Sequence, residues 1–344
     1  MLKNEDRVLE GLDFIDLFSG IGGFRLAMES CGAKCLFSSE IDSIAAQVYR
    51  ENYGDLAAGD ITKVPESSIP YHDILCAGFP CQPFSISGKQ MGFDDTRGSL
   101  FFDIARIVKA KRPRVVLLEN VKNFIRHDKG NTLALVKITM EELGYSFFYK
   151  VLNSTEYNIP QYRERVYMVC FRRDIEVDKF SFPEKTGLKV HLEDILIKDE
   201  EIVKNLFVDR SDIFLRKSER LLSYSDKPLQ VGIVNKGGQG ERIYSPKGVS
   251  ITLSAHGGGV FAKTGGYLIN GRIRKLHPKE CASLMGFPPS FKMNVSDSQA
   301  YKLFGNAVVV DVIQHIAHQI AKVLDSRSPR PCRQKQSRLF AEVK

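Results

Sequence analysis

Short apolar segments alternate with helix-like segments through the first half of the chain, and this alternation limits the possible folds more than any other feature. Apolar runs occur at residues 12–18, 35–39, 73–77, 115–118, 147–152 and 166–171. Helical spacing of apolar residues is found between several of them, at 24–31, 100–109 and 132–143. Strands that alternate with helices form a mostly parallel sheet with helices on both faces. The sequence therefore predicts a doubly wound α/β fold.

The composition changes near residue 190. Residues 226–280 contain 11 of the 27 glycines in the chain. Such a density disfavours helices and permits tight loops that approach a ligand closely. Helical spacing returns at 278–285 and 298–324. Residues 326–331, which follow, cannot bury apolar area and begin a basic tail that we expect to be disordered. We predict four segments, at 1–193, 194–276, 277–325 and 326–344.

The net charge of +8 is concentrated in two segments. Residues 226–280 carry nine Lys or Arg against three Asp or Glu, and residues 326–344 carry six against one. This distribution predicts a polyanionic partner, held mainly outside the α/β part. An ordinary solvated basic surface is the alternative.

The sequence gives no sign of a membrane span or a signal peptide, so we expect an intracellular protein. The seven cysteines are irregularly spaced, and none is arranged like a zinc ligand. We therefore expect neither a disulfide framework nor a metal site, and a reducing compartment.

One cysteine follows a predicted buried strand at a tight turn. Residues 73–77 run into Gly78, Phe79, Pro80 and Cys81. Ligands of open α/β sheets bind beyond the carboxyl ends of the strands, so Cys81 suits a nucleophile. A lone cysteine is more often a small core residue, and the turn alone leaves both readings open.

Charged residues follow two further predicted strands. Glu119 ends the run at 115–118, and Arg163 and Arg165 precede the run at 166–171. Alternate residues of a strand share a face, so the two guanidinium groups lie together. A thiol, a carboxyl group and two arginines favour covalent attack on an electron-poor substrate that carries phosphate. A salt-bridge ladder is the alternative for the arginines.

A glycine-rich turn follows the first predicted strand. Residues 18–23 read Phe-Ser-Gly-Ile-Gly-Gly and begin a helix, and Glu40 ends the second strand, where such folds place an acid on a ribose. The turn alone would also suit a dinucleotide-dependent oxidoreductase.

In this order and spacing, the motifs resemble those of the DNA cytosine-5 methyltransferases over nearly the whole chain. The matching segments are 14–23, 78–85, 119–121, 161–165 and 305–306. Within that family the chain looks most like the enzymes that modify GCGC, through residues 73–90 and 237–245. The resemblance implies S-adenosylmethionine as cofactor, S-adenosylhomocysteine as product and no metal.

The resemblance also assigns the chemistry. Cys81 would add to C6 of a cytosine flipped out of the duplex, and Glu119 would hold or protonate N3. Arg165 would hold Glu119 and the base, with Arg163 in the same network.

Cofactor contacts are implied at Phe18, Gly20, Ile21, Gly22, Gly23, Glu40, Ile41, Asp60, Ile61, Pro80, Leu100, Asn306 and Ala307. Two of these positions depart from the close relatives. Ile41 replaces an aromatic residue that stacks on the adenine, and Ala307 replaces a serine. We therefore expect weaker cofactor binding.

DNA contacts are implied in three loops, at Ser85, Ser87, Lys89, Gln239, Glu241, Arg242, Ser254, His256, Gly257 and Gly259. Arg242 suits a bidentate contact with guanine. Gln239 would fill the gap left by the flipped base. His256 stands where the relatives have tyrosine, so a contact at the edge of the site could differ. Residues 1–193 would form the catalytic and cofactor-binding domain, residues 194–276 the recognition domain, and 277–325 a hinge and a returning helix.

The partner implied by these loops is double-stranded DNA, with GCGC as the expected site and the inner cytosine as the target. We expect a cytoplasmic monomer, the modification enzyme of a restriction-modification system. Gln336, Leu339 and Phe340 resemble a peptide that docks on the bacterial sliding clamp. A tRNA cytosine methyltransferase and a catalytically silent DNA-binding module are the alternatives.

Overall fold

The structure is a computed structural model that describes residues 7–80, 100–186, 190–216 and 223–324. Its strands are β1 Asp13–Leu17, β2 Lys34–Ser39, β3 Ile74–Gly78, β4 Val115–Val121, β5 Tyr145–Asn153, β6 Gln161–Tyr162, β7 Glu164–Arg172, β8 Ile213–Leu215, β9 Leu229–Val234, β10 Arg242–Ser245, β11 Ser250–Ile251, β12 Gly266–Ile269 and β13 Arg272–Arg274. Its α-helices are α1 Gly23–Ser30, α2 Ser43–Tyr53, α3 Leu100–Lys111, α4 Asn131–Glu142, α5 Glu200–Val203, α6 Pro278–Leu284, α7 Asp297–Asn306 and α8 Val310–Val323.

The six apolar runs of the first half form one six-stranded sheet in the order β2-β1-β3-β4-β7-β5. Strands β2, β1, β3 and β4 pair in parallel, whereas β7 runs antiparallel to both β4 and β5. The predicted mostly parallel α/β sheet is therefore confirmed.

Helices cover both faces of this sheet. Side chains on one face, such as Cys76 and Leu117, pack in a core that includes α1 and α8. Their neighbours Leu75 and Val116 point to the other face and pack with α3 and α4. Strands buried on both faces read as continuous apolar runs, which explains the sequence pattern.

The helical pattern at 298–324 forms two helices rather than one. Ala307 and Val309 have extended backbones, with ψ angles of 157° and 117°, and they separate α7 from α8. The Ala307 carbonyl accepts a hydrogen bond from the distant Arg163 at 2.8 Å. The break leaves Asn306 exposed at the end of α7, while α8 continues along α1.

The glycine-rich region builds a second sheet, in the order β13-β12-β10-β9-β8. It has its own small core, which includes Val234, Ile243 and Phe261. The two parts of the chain are joined by the short parallel pair of β6 and β11. That pair places β11, which leads into the second predicted recognition loop, directly beside the predicted arginine motif.

Candidate active site

The glycine-rich turn bends sharply between β1 and α1. Phe18, Gly20 and Gly22 all have positive φ angles, of 55°, 54° and 84°. Such angles favour glycine, which explains two of the three residue types. A Cβ atom on Gly20 would meet no atom within 4 Å, so the surface beside this residue is open. Ile21, Gly22 and Gly23 are buried beneath it.

Glu40 fixes this turn. One carboxylate oxygen accepts from the amide of Gly20 at 2.7 Å, and the other accepts from the amide of Asp42 at 2.7 Å. The carboxylate is thus held at the end of β2 while its side chain stays partly exposed. Each oxygen retains a lone pair that could accept from a ribose hydroxyl.

Exposed apolar side chains occur next to this acid in the sequence and in the segment that precedes Asp60. Ile41 is 73% exposed, next to Glu40, and Leu56 is 74% exposed. Asp60 begins the 3-10 helix at residues 61–63, and hydrogen bonds from Thr62 lower the pKa of its carboxyl group. Ile61 is buried, so it supports Asp60 from the core.

Three segments meet at the carboxyl end of the sheet. A Cβ atom on Gly23 would lie 2.8 Å from Val308, and one on Gly78 would lie 3.7 Å from the same side chain. Val308 follows Asn306 and Ala307, so the α7–α8 connection packs against both the glycine-rich turn and the end of β3. Leu100 begins α3 and is partly exposed, and Pro80 is exposed at the end of the described segment that carries β3.

Asp16 lies on β1, in register with Cys76 of β3, and is buried. Its side chain is fully buried, and within the described part of the chain neither of its carboxylate oxygens has a hydrogen-bond partner. Burial raises the pKa of Asp16 well above its usual range, and the nearby Arg25 offsets this only in part. Burial thus favours the neutral form of this acid more strongly than in an exposed aspartate.

Glu119 lies at the carboxyl end of β4, paired in register with Gly78. Its side chain is buried, and the Nε atom of Arg165 lies 3.1 Å from its Oε1 atom. Burial raises the pKa of Glu119, and the positive charges of Arg165 and Arg163 offset only part of that rise. Burial thus favours the protonated form of Glu119 more than that of an exposed glutamate.

Asn120 supports the turn that leads towards Cys81. Its buried side chain donates to the carbonyl of Phe79 at 2.9 Å. The contact ties the residues after β3 to the strand that carries Glu119.

Arg163 is buried and contacts backbone rather than carboxylate. Its Nη1 atom donates to the carbonyl of Leu253 at 3.1 Å, and its Nη2 atom donates to the carbonyls of Gly305 and Ala307 at 3.0 and 2.8 Å. Burial lowers the pKa of Arg163 to about 9, with a further contribution from Arg165. This arginine therefore joins the predicted recognition segment, at Leu253, to the α7–α8 connection.

Gln161 contacts the same residue, Leu253, and also contacts Leu284 of α6. It was not among the predicted site residues. It is fully buried, accepts from the amide of Leu253 at 2.9 Å and donates to the carbonyl of Leu284 at 2.7 Å. It lies two residues before Arg163 and therefore on the same face, so strand spacing could have identified it.

The two predicted recognition loops contact each other through glycines. A Cβ atom on Gly240 would lie 2.2 Å from the carbonyl oxygen of Gly258, and one on Gly259 would lie 2.7 Å from that of Gly240. The amide of Phe261 donates to the Gly240 carbonyl at 2.8 Å. A side chain at either position would collide with the other loop. The two backbones can therefore approach this closely only because both residues are glycine.

The predicted DNA contacts on these loops differ in their surroundings. Gln239, Arg242, His256 and Gly257 are exposed. Glu241 instead accepts from the side chain of Asn235 and the amide of Gly238, both at 2.8 Å, so it organises its own loop. Ser254 is partly exposed, and its hydroxyl bonds to the backbone of His256.

Several predicted site residues lie outside the described residues, namely Cys81, Ser85, Ser87, Lys89, Gln336, Leu339 and Phe340. The described cysteines are all free, and four of the five are buried. Burial raises the pKa of the Cys76 and Cys170 thiols, which disfavours their nucleophilic thiolate forms.

Within the described ranges, no group of three or more His, Cys, Asp or Glu residues is arranged to hold a metal ion. None of the helices in those ranges is both long and apolar enough to cross a bilayer.

The fold is that of a methyltransferase, and comparison with known proteins identifies the family. Residues 12–322 match the model of the C-5 cytosine-specific DNA methylases. The chain belongs to this family and is a DNA cytosine-5 methyltransferase.

Individual relatives are similar over almost their full length. The chain is 58% identical to the Type II methyltransferase M.HhaI of Haemophilus parahaemolyticus, over 94% of this chain and 99% of that protein. It is 40% identical to the Type II methyltransferase M.DsaV of Dactylococcopsis salina, over 91% and 87% of the two chains. The solved structure of the S. pombe Dnmt2 methyltransferase shares the fold, with a TM-score of 0.69 at 22% identity over 91% of this chain and 98% of that one.

Proposed function

We propose that this chain methylates C5 of a cytosine flipped out of duplex DNA, with S-adenosylmethionine as the methyl donor. The observation that carries the proposal is the pair of Glu119 and Arg165. Glu119 is buried, its pKa is raised, and Arg165 lies beside it. Glu119 pairs in register with Gly78, and Gly78 lies three residues before Cys81 in the sequence.

The residues around the glycine-rich turn fit S-adenosylmethionine. Gly20 leaves open space beside the turn, Glu40 offers fixed carboxylate oxygens for ribose hydroxyls, and Ile41 offers an exposed apolar face for a base. Asp60 has an acceptor for an adenine amino group, and Asn306 is exposed at the end of α7. When bound, the cofactor supplies an electrophilic methyl group. Ile41 provides apolar contact without the stacking of an aromatic ring, so we propose weaker adenine binding than an aromatic residue would give.

The chain's own residues supply covalent and acid catalysis. C5 of cytosine is a poor nucleophile, so the Cys81 thiolate first adds to C6 and pushes electron density towards N3. The Glu119 proton or hydrogen bond neutralises that density. C5 then accepts the methyl group. Loss of the C5 proton to a base and departure of the Cys81 thiolate restore the aromatic ring.

The guanidinium of Arg165 keeps Glu119 oriented and can reach towards the base. Arg163 acts indirectly, because its side chain donates to the carbonyls of Leu253, Gly305 and Ala307 and not to Glu119. We therefore assign Arg163 a positioning role between the recognition segment and the α7–α8 connection.

We propose that the loops around residues 85–89 and 239–242 carry out base flipping and DNA recognition. The target base must leave the duplex stack, at a cost of a few kcal/mol. We propose that Ser85, Ser87 and Lys89 contact the DNA around the flipped base and that Gln239 fills the vacated space. Arg242 is exposed beside the paired loops, as a bidentate guanine contact requires.

We propose GCGC as the site, with residues 194–276 as the recognition domain. The support is the similarity to M.HhaI together with the contact between the loops that contain Gly240 and Gly259. His256 is exposed at the edge of this surface, so any change in flanking preference would arise there.

The cellular setting is part of the same proposal. We infer a cytoplasmic monomer that protects DNA as the modification partner of a restriction endonuclease. The tail residues Gln336, Leu339 and Phe340 would allow docking on a sliding clamp. A pull-down with purified clamp, comparing the full chain with one that ends at Asp325, tests the docking, and equal binding by both would reject it.

The proposed reaction is tested by transfer of tritiated methyl groups from S-adenosylmethionine to duplexes. The panel contains GCGC, its single-base variants, GGCC and a tRNA transcript. We expect label on GCGC alone. Label on another duplex would reject the specificity, label confined to tRNA would reject the substrate class, and no label would favour a silent DNA-binding module.

A further inference from the structure

The glycine-rich turn rests on side chains that no sequence motif identified. The hydroxyl of Tyr53, at the end of α2, donates to the carbonyl of Gly22 at 2.8 Å. The Tyr53 ring also fills the space beneath this residue, because a Cβ atom on Gly22 would lie 2.3 Å from its Cε2 atom. Tyr53 therefore holds the turn at a residue whose positive φ of 84° only glycine adopts easily.

Arg25 in turn holds Tyr53. Its guanidinium carbon lies 4.6 Å from the centre of the Tyr53 ring. The same group donates to the hydroxyl of Tyr49 at 3.0 Å and to Glu29 at 2.9 Å. A planar guanidinium can make these contacts together, whereas the point charge of a lysine cannot.

The guanidinium also reaches the loop that carries Asp60. Its Nη2 atom lies 2.7 Å from a carboxylate oxygen of Asp55. Three residues further along, Ala58 exchanges backbone hydrogen bonds with Ser38 and Glu40, at 2.8 and 2.9 Å. Arg25 thus connects the glycine-rich turn, α2 and the segment between Asp55 and Asp60.

We propose that Arg25 and Tyr53 are positioning residues for cofactor binding, which hold the glycine-rich turn and the Asp60 loop in the geometry that S-adenosylmethionine requires. The inference rests on the proposed function, in which both segments contact the cofactor. A protein that adopts its binding geometry only part of the time loses apparent affinity by that fraction. Loosening either side chain should therefore weaken cofactor binding before it alters the chemistry.

The test compares Tyr53→Phe with the parent and with Tyr149→Phe, using the full chain without DNA. Tyr149 lies on β5 and is 47% exposed, so its variant is a matched loss of one hydroxyl. Calorimetric titration with S-adenosylhomocysteine should give a dissociation constant about three- to tenfold higher for Tyr53→Phe, the effect of one hydrogen bond. Tyr149→Phe should match the parent. Arg25→Lys should weaken binding more than Tyr53→Phe, because it loses several contacts.

A steady-state measurement separates positioning from general destabilisation. In Tyr53→Phe, KM for S-adenosylmethionine should rise by the same factor, with kcat and KM for DNA within about twofold of the parent. A purely structural role would instead lower the folded fraction and kcat, and leave the affinity of the folded molecules unchanged. If Arg25→Lys does not fold, Asp55→Asn tests the contact between Arg25 and Asp55, because the Asp55 side chain is exposed and its replacement should not prevent folding.

Two outcomes would overturn the inference. If Tyr53→Phe and Asp55→Asn both bind S-adenosylhomocysteine within about 1.5-fold of the parent, the positioning role is wrong and the cofactor assignment stands. If the parent itself does not bind S-adenosylhomocysteine, the cofactor assignment fails and the inference fails with it.

Discussion

The guanidinium of Arg165 lies 3.1 Å from the carboxylate of Glu119, and burial nevertheless raises the pKa of Glu119. The arginine therefore orients the acid, while burial favours the protonated form of the acid more than in an exposed glutamate. In the proposed reaction, this acid at the carboxyl end of β4 stabilises the electron density that develops at N3 of the target base.

Replacing Glu119 by glutamine should separate activity from stability. Turnover should fall by about 100-fold or more, because the amide cannot supply a proton. The folded pKa of Glu119 is raised, so ionisation opposes folding as the pH rises through that value. Glu119→Gln should therefore match the parent in Tm below the ordinary carboxyl pKa, and equal or exceed it near pH 7.5. Thermal melts across this range and methyl-transfer rates check both parts, and unchanged turnover would contradict the assigned role.

Replacing Arg163 by lysine should loosen the junction between the two parts of the fold. Lysine cannot reach the carbonyls of Leu253, Gly305 and Ala307 together. We expect a loss of about 2–4 kcal/mol in the free energy of unfolding, measured in urea. We also expect a higher KM for both cofactor and DNA. Arg242→Lys is the control for stability, with a change within about 0.5 kcal/mol because that side chain is exposed. Equal stability of the two variants would reject the positioning role.

Two alanine variants test the contact between the recognition loops. Gly240 has a φ of 82°, and its Cβ atom would lie 2.2 Å from the Gly258 carbonyl oxygen, whereas a Cβ atom on Gly258 would meet nothing within 4 Å. Gly240→Ala should therefore weaken binding to a GCGC duplex by about tenfold or more, and Gly258→Ala should change it little. Gel-shift titrations give both constants. Similar values for the two variants would show that the contact does not shape the DNA-binding surface.

Replacing Asp16 by asparagine should raise stability at neutral pH. The folded pKa of Asp16 is raised well above its ordinary value, so the folded state binds a proton that the unfolded state releases above about pH 4. Stability from this group is therefore complete below that pH and declines as the pH rises towards the folded pKa. Asp16→Asn should melt higher than the parent at pH 7 and similarly to it near pH 4. A variant that melts lower at pH 7 would indicate that Asp16 is ionised and paired.

The sequence predicted the parts of this fold that depend on local pattern. Each apolar run of the first half became a strand, because a strand buried on both faces needs apolar residues throughout. The break between α7 and α8 was not predictable in the same way. Residues 307–310 are all apolar, and one contact at the break comes from Arg163, far away in the sequence.

Glu40 and Glu119 each lie at the end of a strand, where the sequence pattern placed them. The residues that support them were harder to identify. Tyr49 and Tyr53 are four residues apart on a helix, which is the ordinary spacing of a core face. Only the tertiary structure reveals that one of them bonds to Gly22 and that Arg25 stacks on both.

The most direct test of the central claim uses a GCGC duplex with 5-fluorocytosine at the inner position. Fluorine at C5 prevents loss of a proton after methyl transfer, so the covalent adduct should persist. Incubation with S-adenosylmethionine, digestion and peptide mass spectrometry should identify methylated 5-fluorocytosine attached to Cys81, with no adduct when the analogue occupies the outer position. An adduct on another residue, an adduct at the outer cytosine, or turnover without any adduct would contradict the account.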